Sequence, residues 1–334
     1  MRFAFQRIAS GLIVASFGSF GSFGSWAGGQ EHNPAPQPSR ATIIGYLTED
    51  GIDSGRYTVK NVAAGGAAKI LTQIDYAFGR IAHDRCEIMN RKAALERAYT
   101  AAESANGQAD PAIPARTTAA RSGDPVPTPA RTTAARSGDP VEGPNRLRGA
   151  FHQLQELKKL HPHLRVLISF GGWGQSQGFS SAADPSHVRE FVRSCVHTFI
   201  EGYFAPGIHA PGIFDGIDID WEYPVRGGVH DGRPEDTRNF TLMAAEFRRQ
   251  LDAVRPGLLL AAALPAEPEL YSQFDLKQIS AYLDQLAIMA YDMHWNSEPV
   301  TNLHSALFHG SNRNWLAPLS RSIPPCQNQR PASR

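Results

Sequence analysis

Three carboxylates stand at every second position of one apolar segment of the chain. Asp218, Asp220 and Glu222 alternate there with isoleucine and tryptophan. Because side chains alternate between the two faces of an extended strand, the segment predicts a strand with one acidic face and one apolar face. A row of like charges backed by apolar side chains costs repulsion and desolvation. We therefore expect this row to line a cavity that performs chemistry.

Three interpretations of the acidic face are open. A solvated edge strand would leave the carboxylates in water, and a metal site would use their oxygens as ligands for a hard cation. Acid catalysis on a glycoside would use Glu222 as the proton donor, with neighbouring Asp220 raising its pKa so that it stays protonated near neutral pH. The other predicted strands are also apolar, which argues against a solvated edge. Acid catalysis fits the pattern best.

The composition predicts one large domain. The chain has 334 residues, of which 42% are hydrophobic and 19% charged, and its net charge is +1. This length and apolar content allow a substantial core. The charges are interspersed, without the long Lys/Arg block that would neutralise a phosphate backbone, so we expect no nucleic-acid partner. A monomer is the expected state.

The N-terminus has the features of an export signal. Arg2 and Arg7 precede an apolar stretch, and small residues follow it up to Ala27. The apolar run is too short for a membrane span. We therefore expect residues 1–27 to be removed on secretion, with a flexible leader over 28–40.

The cysteines do not predict a disulfide framework. The odd number of three cannot pair completely, even in an exported chain. Cys195 lies on the apolar face of a predicted helix and is expected to be a buried free thiol. The others are Cys86 and Cys326.

Apolar periodicity predicts strands that alternate with helices. Beside the acidic strand, strands are expected over 42–47, 73–78, 165–170, 258–264 and 286–291. Helices are expected over 147–160, 184–203 and 235–254. After the second strand, the sequence PARTTAARSGDPV at 114–126 recurs at 129–141 without apolar periodicity. We interpret 96–145 as a solvated, disordered insertion.

This alternation indicates a parallel sheet covered by helices. We expect an α/β fold, a (β/α)8 TIM barrel over 41–300 followed by an irregular tail over 301–334. In such barrels the active site lies at the carboxyl ends of the strands, where Glu222 falls. An open doubly wound sheet is the alternative, but the glycine pair at 171–172 lacks the spacing of a dinucleotide-binding turn.

Three motifs in the expected order resemble those of one enzyme family. The segment Asp-Gly-Ile-Asp-Ile-Asp-Trp-Glu-Tyr-Pro at 215–224 resembles the strand-four signature of glycoside hydrolase family 18, the chitinases. Residues 169–173 and 289–292 resemble its strand-three and strand-six motifs, and two further stretches are similar to bacterial secreted chitinases. The resemblance covers 41–95 and 145–300.

The resemblance implies retaining hydrolysis of β-1,4-linked N-acetylglucosamine in chitin or chito-oligosaccharides. In this family the acetamido oxygen of the substrate attacks the anomeric carbon in place of an enzyme nucleophile. Glu222 would be the proton donor, Asp220 would hold the acetamido group and Asp218 would tune Asp220. Tyr291 would bond the acetamido oxygen. No metal and no other cofactor is implied.

Further side chains are implied to line the sugar site. They are Trp173, Tyr223, Met289, Asp292, Tyr46 and Phe78. The rings of Trp173 and Tyr223 would stack on sugar faces. Asp215 stands three residues before Asp218, so it points to the other face and is expected to be structural.

The C-terminal end departs from the family. Only 42 residues follow Asp292, whereas each β/α unit takes about 30, so the last one or two units are expected to be missing. The family tryptophan under the sugar has only Trp295 and Trp315 as candidates. An open barrel would expose sheet edges. Two functions therefore remain, a secreted chitinase and a truncated, non-catalytic chitin-binding relative; the intact Glu222 favours the first.

Overall fold

The computed structural model describes residues 41–111, 146–294, 301 and 303–305. The predicted export signal, the leader, both copies of the repeat, both candidate tryptophans and most of the tail lie outside the described residues. Within the described ranges, no helix combines the length and the apolarity needed to cross a membrane.

A curved parallel sheet is the centre of the fold. Its strands are β1 (Ile44–Thr48), β2 (Gln73–Ala82), β4 (Arg165–Gly171), β7 (Gly216–Asp220), β8 (Leu259–Pro265) and β9 (Gln285–Met289). They neighbour one another in chain order, and each pair is parallel. β3 (Arg85–Ile88) adds antiparallel to β2, and β5 (Tyr203–Ala205) with β6 (Ile208–His209) forms a separate hairpin.

Helices follow the strands and cover the convex face of the sheet. The longer ones are α4 (Gly149–Leu160), α6 (Val188–Cys195), which a π-helical turn (Val196–Ile200) extends, and α7 (Asp236–Val254). Shorter helical segments are α1 (Glu49–Asp53), α2 (Val59–Ala64), α3 (Ala67–Ile70), α5 (Phe179–Ala182), α8 (Pro268–Tyr271) and α9 (Leu276–Ile279).

The hydrophobic core lies between the sheet and these helices. Ile217 and Ile219 of β7, and Trp221 just after it, are buried in this core, so the predicted apolar face of this segment is confirmed. The predicted apolar stripes of α4 and α7 pack there as well, through residues such as Phe151 and Phe247. Packing against the helices thus determines which face of each strand points to the concave side of the sheet.

The predicted element boundaries hold to within a few residues, and the two largest differences are of four residues. The helix expected from residue 184 begins at Val188, because Asp184 makes a turn instead. Asp184 Oδ1 accepts hydrogen bonds from the backbone N and the Oγ of Ser186, at 3.0 and 2.6 Å. β2 also runs on to Ala82 and turns into the β3 hairpin.

The expectation of a solvated, disordered insertion is wrong for residues 96–111. The backbone N of Ala105 donates to Gln153 Oε1 at 2.7 Å, and Asn106 Nδ2 donates to Glu156 Oε2 at 2.8 Å. Polar side chains of α4 thus anchor this segment. Such anchoring needs no apolar periodicity, so the sequence pattern does not reveal it.

Cys195 is not a free thiol, contrary to expectation. It forms a disulfide with Cys86, 109 residues earlier, with the two Cα atoms 4.8 Å apart. The hairpin of β2 and β3 brings Cys86 onto α6, where its backbone N also donates to Ser194 Oγ at 2.9 Å. Local sequence patterns do not relate positions so far apart.

Candidate active site

The concave face of β7 carries the three predicted acidic residues. Asp218, Asp220 and Glu222 are 0%, 6% and 8% exposed. β7 lies between β4 and β8, so it is an interior strand. The interpretation of a solvated edge strand is therefore wrong, and the carboxylates line the inside of the curved sheet at and just beyond the carboxyl end of the strand.

Asp218 is held by two hydroxyls from neighbouring strands. Tyr46 Oη donates to Asp218 Oδ2 at 3.1 Å, and Ser169 Oγ donates to the same oxygen at 2.7 Å. Burial raises the pKa of Asp218, whereas these two hydrogen bonds lower it. Two hydroxyl donors on one oxygen make Asp218 better placed than Asp220 to carry a negative charge.

Asp220 is the opposite case. Burial, followed by the charges of Glu222 and Asp218, raises its pKa well above the usual range. Within the described part of the chain, no hydrogen-bond donor reaches its Oδ1. Its backbone carbonyl accepts from the backbone N of Gly172 at 2.8 Å and from Ser176 Oγ at 3.2 Å. The backbone is thus fixed while the side-chain oxygen is left for a ligand.

Glu222 follows the end of β7, and its backbone N donates to Ser176 Oγ at 3.0 Å. Its pKa is raised to about 7, first by burial and then by the charges of Asp292 and Glu267, while a hydrogen bond with Tyr223 lowers it. The sequence pattern predicts Asp220 as the anion responsible, and the structure assigns that effect to other carboxylates. A carboxyl with this pKa can both give and take a proton near neutral pH.

The residues at and after the end of β9 lie near the three acidic residues. Tyr291 stands two residues beyond β9, and the charges of Asp220 and Glu222 raise its pKa after burial does. Met289, the last residue of β9, is half-buried. Asp292 is exposed, has a left-handed φ of +56°, and its Oδ1 lies 2.8 Å from His304 Nε2.

The implied sugar-lining aromatic residues fall into two groups. Trp173 is 48% exposed, and the ring of half-buried Phe78 lies over Gly172, where an added Cβ would come within 2.8 Å of it. Tyr223 is only 7% exposed, and half-buried Tyr46 directs its hydroxyl to Asp218, so both are less exposed than Trp173. Which of these rings touch a sugar stays a prediction.

Asp215, on the other face, is structural, as expected. Lys158 Nζ lies 2.6 Å from Asp215 Oδ2, and the backbone N of Val166 donates to the same oxygen at 2.9 Å. Sequence reasoning missed Ser169 and Ser176 as partners of the acidic residues. The signal for Ser169 is its place as the first residue of the strand-three motif.

No set of three or more His, Cys, Asp or Glu side chains among the described residues is arranged to hold a metal ion. The three acidic residues point into one concavity but have separate surroundings. Asp218 accepts from two hydroxyls on one oxygen, Asp220 has an oxygen without a donor and a pKa raised by burial and by two neighbouring charges, and Glu222 has a pKa of about 7. This division suits proton transfer to a bound ligand.

The family model described as glycosyl hydrolases family 18 matches residues 42–331. The chain belongs to this family. Chitinase 63 of Streptomyces plicatus is 30% identical over 285 residues, which cover 84% of this chain and 40% of that protein. This chain thus spans less than half the length of that relative.

Solved structures of chitinases show the same fold. The catalytic domain of a psychrophilic chitinase B from Arthrobacter TAD20 has a TM-score of 0.61 at 30% identity, covering 75% of this chain and 58% of that one. A chitinase from Bacillus thuringiensis has a TM-score of 0.59 at 26% identity, and the match covers 80% of this chain and 42% of that one. The predicted (β/α)8-type barrel is confirmed by these similarities and by the strand order, and the described residues hold six of its parallel strands.

Proposed function

We propose that this chain hydrolyses the β-1,4 linkages of chitin or chito-oligosaccharides, with Glu222 as the proton donor. The observation that carries the proposal is a buried acid with a pKa of about 7 at the end of a strand whose preceding acid, Asp220, keeps an oxygen without a donor. Membership of the family, and the chitinases among its similar members, support the substrate class.

The spacing of the two acids favours attack by the substrate itself. Residues two apart on a strand have Cα atoms about 6.6 Å apart and share a face, so Asp220 cannot attack the anomeric carbon from the side opposite Glu222. The acetamido oxygen of the bound sugar then forms the new bond. Glu222 gives its proton to the glycosidic oxygen as the bond to the leaving sugar breaks.

The second step restores the enzyme. The Glu222 carboxylate takes a proton from water, the water oxygen attacks the anomeric carbon, and the bond to the acetamido oxygen breaks. Two displacements at one carbon give retention of configuration. Through both steps Asp220 orients the acetamido group, and Tyr291 donates a hydrogen bond to the acetamido oxygen. Asp218 tunes Asp220 through its negative charge.

The proposal includes export of the chain. The Cys86–Cys195 disulfide supports it, because such bonds persist in oxidising compartments and are rare in the cytosol. The predicted signal over residues 1–27 would supply the route. Fractionation of a producing culture tests this: mature protein that begins near residue 28 in the medium is expected, and protein that keeps its N-terminus inside the cell would contradict it.

The decisive experiment incubates the full chain with chitohexaose and follows the anomers of the products by NMR. Products that first appear as the β-anomer are expected. First appearance of the α-anomer would contradict the substrate-assisted step. If soluble, folded protein binds the hexamer but releases no products, the chain is a chitin-binding relative instead.

A further inference from the structure

An amide pair ties the first residue of β9 to β2 across the concave side of the sheet. Gln73 Nε2 donates to Gln285 Oε1, and Gln285 Nε2 donates to Gln73 Oε1, both at 3.0 Å. β2 and β9 are not neighbours in the sheet order, so the pair crosses the interior and follows no ladder. Because Gln73 is only 1% exposed, water does not compete easily for these hydrogen bonds.

The orientation of the pair is fixed by a third side chain. Gln73 Nε2 also donates to Asp75 Oδ1 at 2.8 Å. An accepting carboxyl oxygen requires the nitrogen end of the Gln73 amide, which leaves the amide oxygen for Gln285. Asp75 is 2% exposed and interacts with Asp218, whose charge raises the pKa of Asp75 after burial does. The amide pair therefore belongs to the same buried network as the acidic strand.

The position of β9 depends on side-chain hydrogen bonds of this kind. Among the described residues it pairs with β8 alone, and all five of its residues are half-buried. Its far end leads to Tyr291, beside Asp220 and Glu222. Tyr291 lies six positions after Gln285, about 20 Å of extended chain. A small change of tilt at the base therefore becomes a displacement at the tyrosine hydroxyl.

We propose that Gln73 and Gln285 are positioning residues that hold β9 at the tilt needed to bring Tyr291 to the acetamido group of the sugar. This inference rests on the proposed function. Without these hydrogen bonds, β9 stays paired with β8, but its position relative to β2 across the interior is no longer fixed. The contact between Tyr291 and the sugar then weakens, because such contacts depend on placement to within about 1 Å.

The test measures binding, so it does not require turnover. In the full chain carrying Glu222→Gln, the Kd of chitohexaose is determined by calorimetry. Adding Gln285→Met is expected to raise Kd about tenfold. Adding Gln73→Met alone is expected to have the same effect. In a chain that also carries Tyr291→Phe, Gln285→Met is expected to change Kd less than about twofold, because the contact it acts through is already gone.

Gln153 provides the matched control. It is also a glutamine with 1% exposure, but it accepts from Ala105 on the helix side of the sheet. Gln153→Met is expected to lower the thermal midpoint and leave Kd unchanged, which separates loss of stability from loss of position.

Three results would overturn the proposal. They are an unchanged Kd in Gln285→Met, an equal rise with and without Tyr291→Phe, and an equal rise in Gln153→Met. If Gln285→Met does not fold, Gln285→Asn, which shortens the tether but keeps the amide, replaces it with the same expectation. Binding by the parent chain without hydrolysis by the wild type would contradict only the proposed function, whereas no binding by the parent would contradict both.

Discussion

Two buried carboxylate sites lie within eight residues of one another and differ in their partners. Asp215 is 5% exposed and is surrounded by cations, with Lys158 Nζ at 2.6 Å and Arg255 Nη2 at 3.5 Å. Asp218 and Glu222 are similarly buried, yet in the part of the chain that the structure describes no Lys or Arg forms an ion pair with them. Burial therefore does not separate structural from chemical carboxylates here.

The presence of a compensating cation does separate them. A buried carboxylate with a cation is stable as an anion and holds elements together, whereas one without a cation keeps its proton to higher pH. The second kind is the state that a proton donor needs. The contrast predicts opposite responses to substitution at the two sites.

The largest effect is expected at the uncompensated site. Glu222→Gln removes the transferable proton while keeping the shape, so the rate of chitohexaose hydrolysis should fall about 10³-fold or more. The Kd of the hexamer should stay within about twofold. Initial rates and calorimetry measure the two quantities, and a variant that keeps a tenth of the activity would contradict the role of Glu222.

At the compensated site the effect should fall on stability. Lys158→Met leaves Asp215 buried without its nearest cation, and the free energy of unfolding should drop by about 2 kcal/mol. Urea denaturation measures the loss. Lys159→Met is the control, because Lys159 is 62% exposed and pairs with Glu156 at the surface, so its loss should cost less than about 0.5 kcal/mol. The specific activity of both folded variants should match the wild type.

A smaller effect is expected on the pH profile. Glu222 must be protonated to act, and its pKa is about 7, so kcat/KM should be full below this value and fall as pH rises through it. The charge of Glu267 raises this pKa, so Glu267→Gln should move the alkaline limb to lower pH. Glu269→Gln is a nearby control that should leave it in place. A limb that moves upward in Glu267→Gln would show that the electrostatic assignment is wrong.

The smallest effect is expected from a chelator. Carboxylates without a protein cation could instead be ligands for a metal, which is the alternative interpretation of the acidic strand. Substrate-assisted hydrolysis needs no metal, so dialysis against EDTA should leave the rate unchanged. Loss of activity that returns on addition of one divalent cation would favour the metal site.

The sequence predicts which face of a strand each site residue occupies better than it predicts the hydrogen bonds between strands. The period of two along one strand is a local property, so both faces of β7 and the separate role of Asp215 could be predicted. The donors to Asp218 could not, because Tyr46 and Ser169 lie 172 and 49 residues away. Pairing of β4 with β7 places Ser169 opposite Asp218, and curvature of the sheet brings Tyr46 to it. Resemblance to the family named Tyr46 but gave it a sugar-lining role.

Two of the wrong predictions, the disordered segment and the free thiol, have the same origin. The segment 96–111 is anchored by hydrogen bonds to polar side chains of α4, and the disulfide joins positions on two separate elements. Neither feature needs a repeating pattern of apolar residues. Composition describes how a segment would behave alone, and tertiary contacts decide how it behaves in the fold.

The disulfide between Cys86 and Cys195 has a consequence for proteolysis. A protease that cleaves once anywhere between these two residues breaks the backbone but leaves both pieces joined through sulfur. β1, β2 and β3 would stay attached to the fragment that carries Glu222. Such a nicked protein would migrate as one band without reductant and as two bands with it, and it could keep its active site while no longer being a single polypeptide.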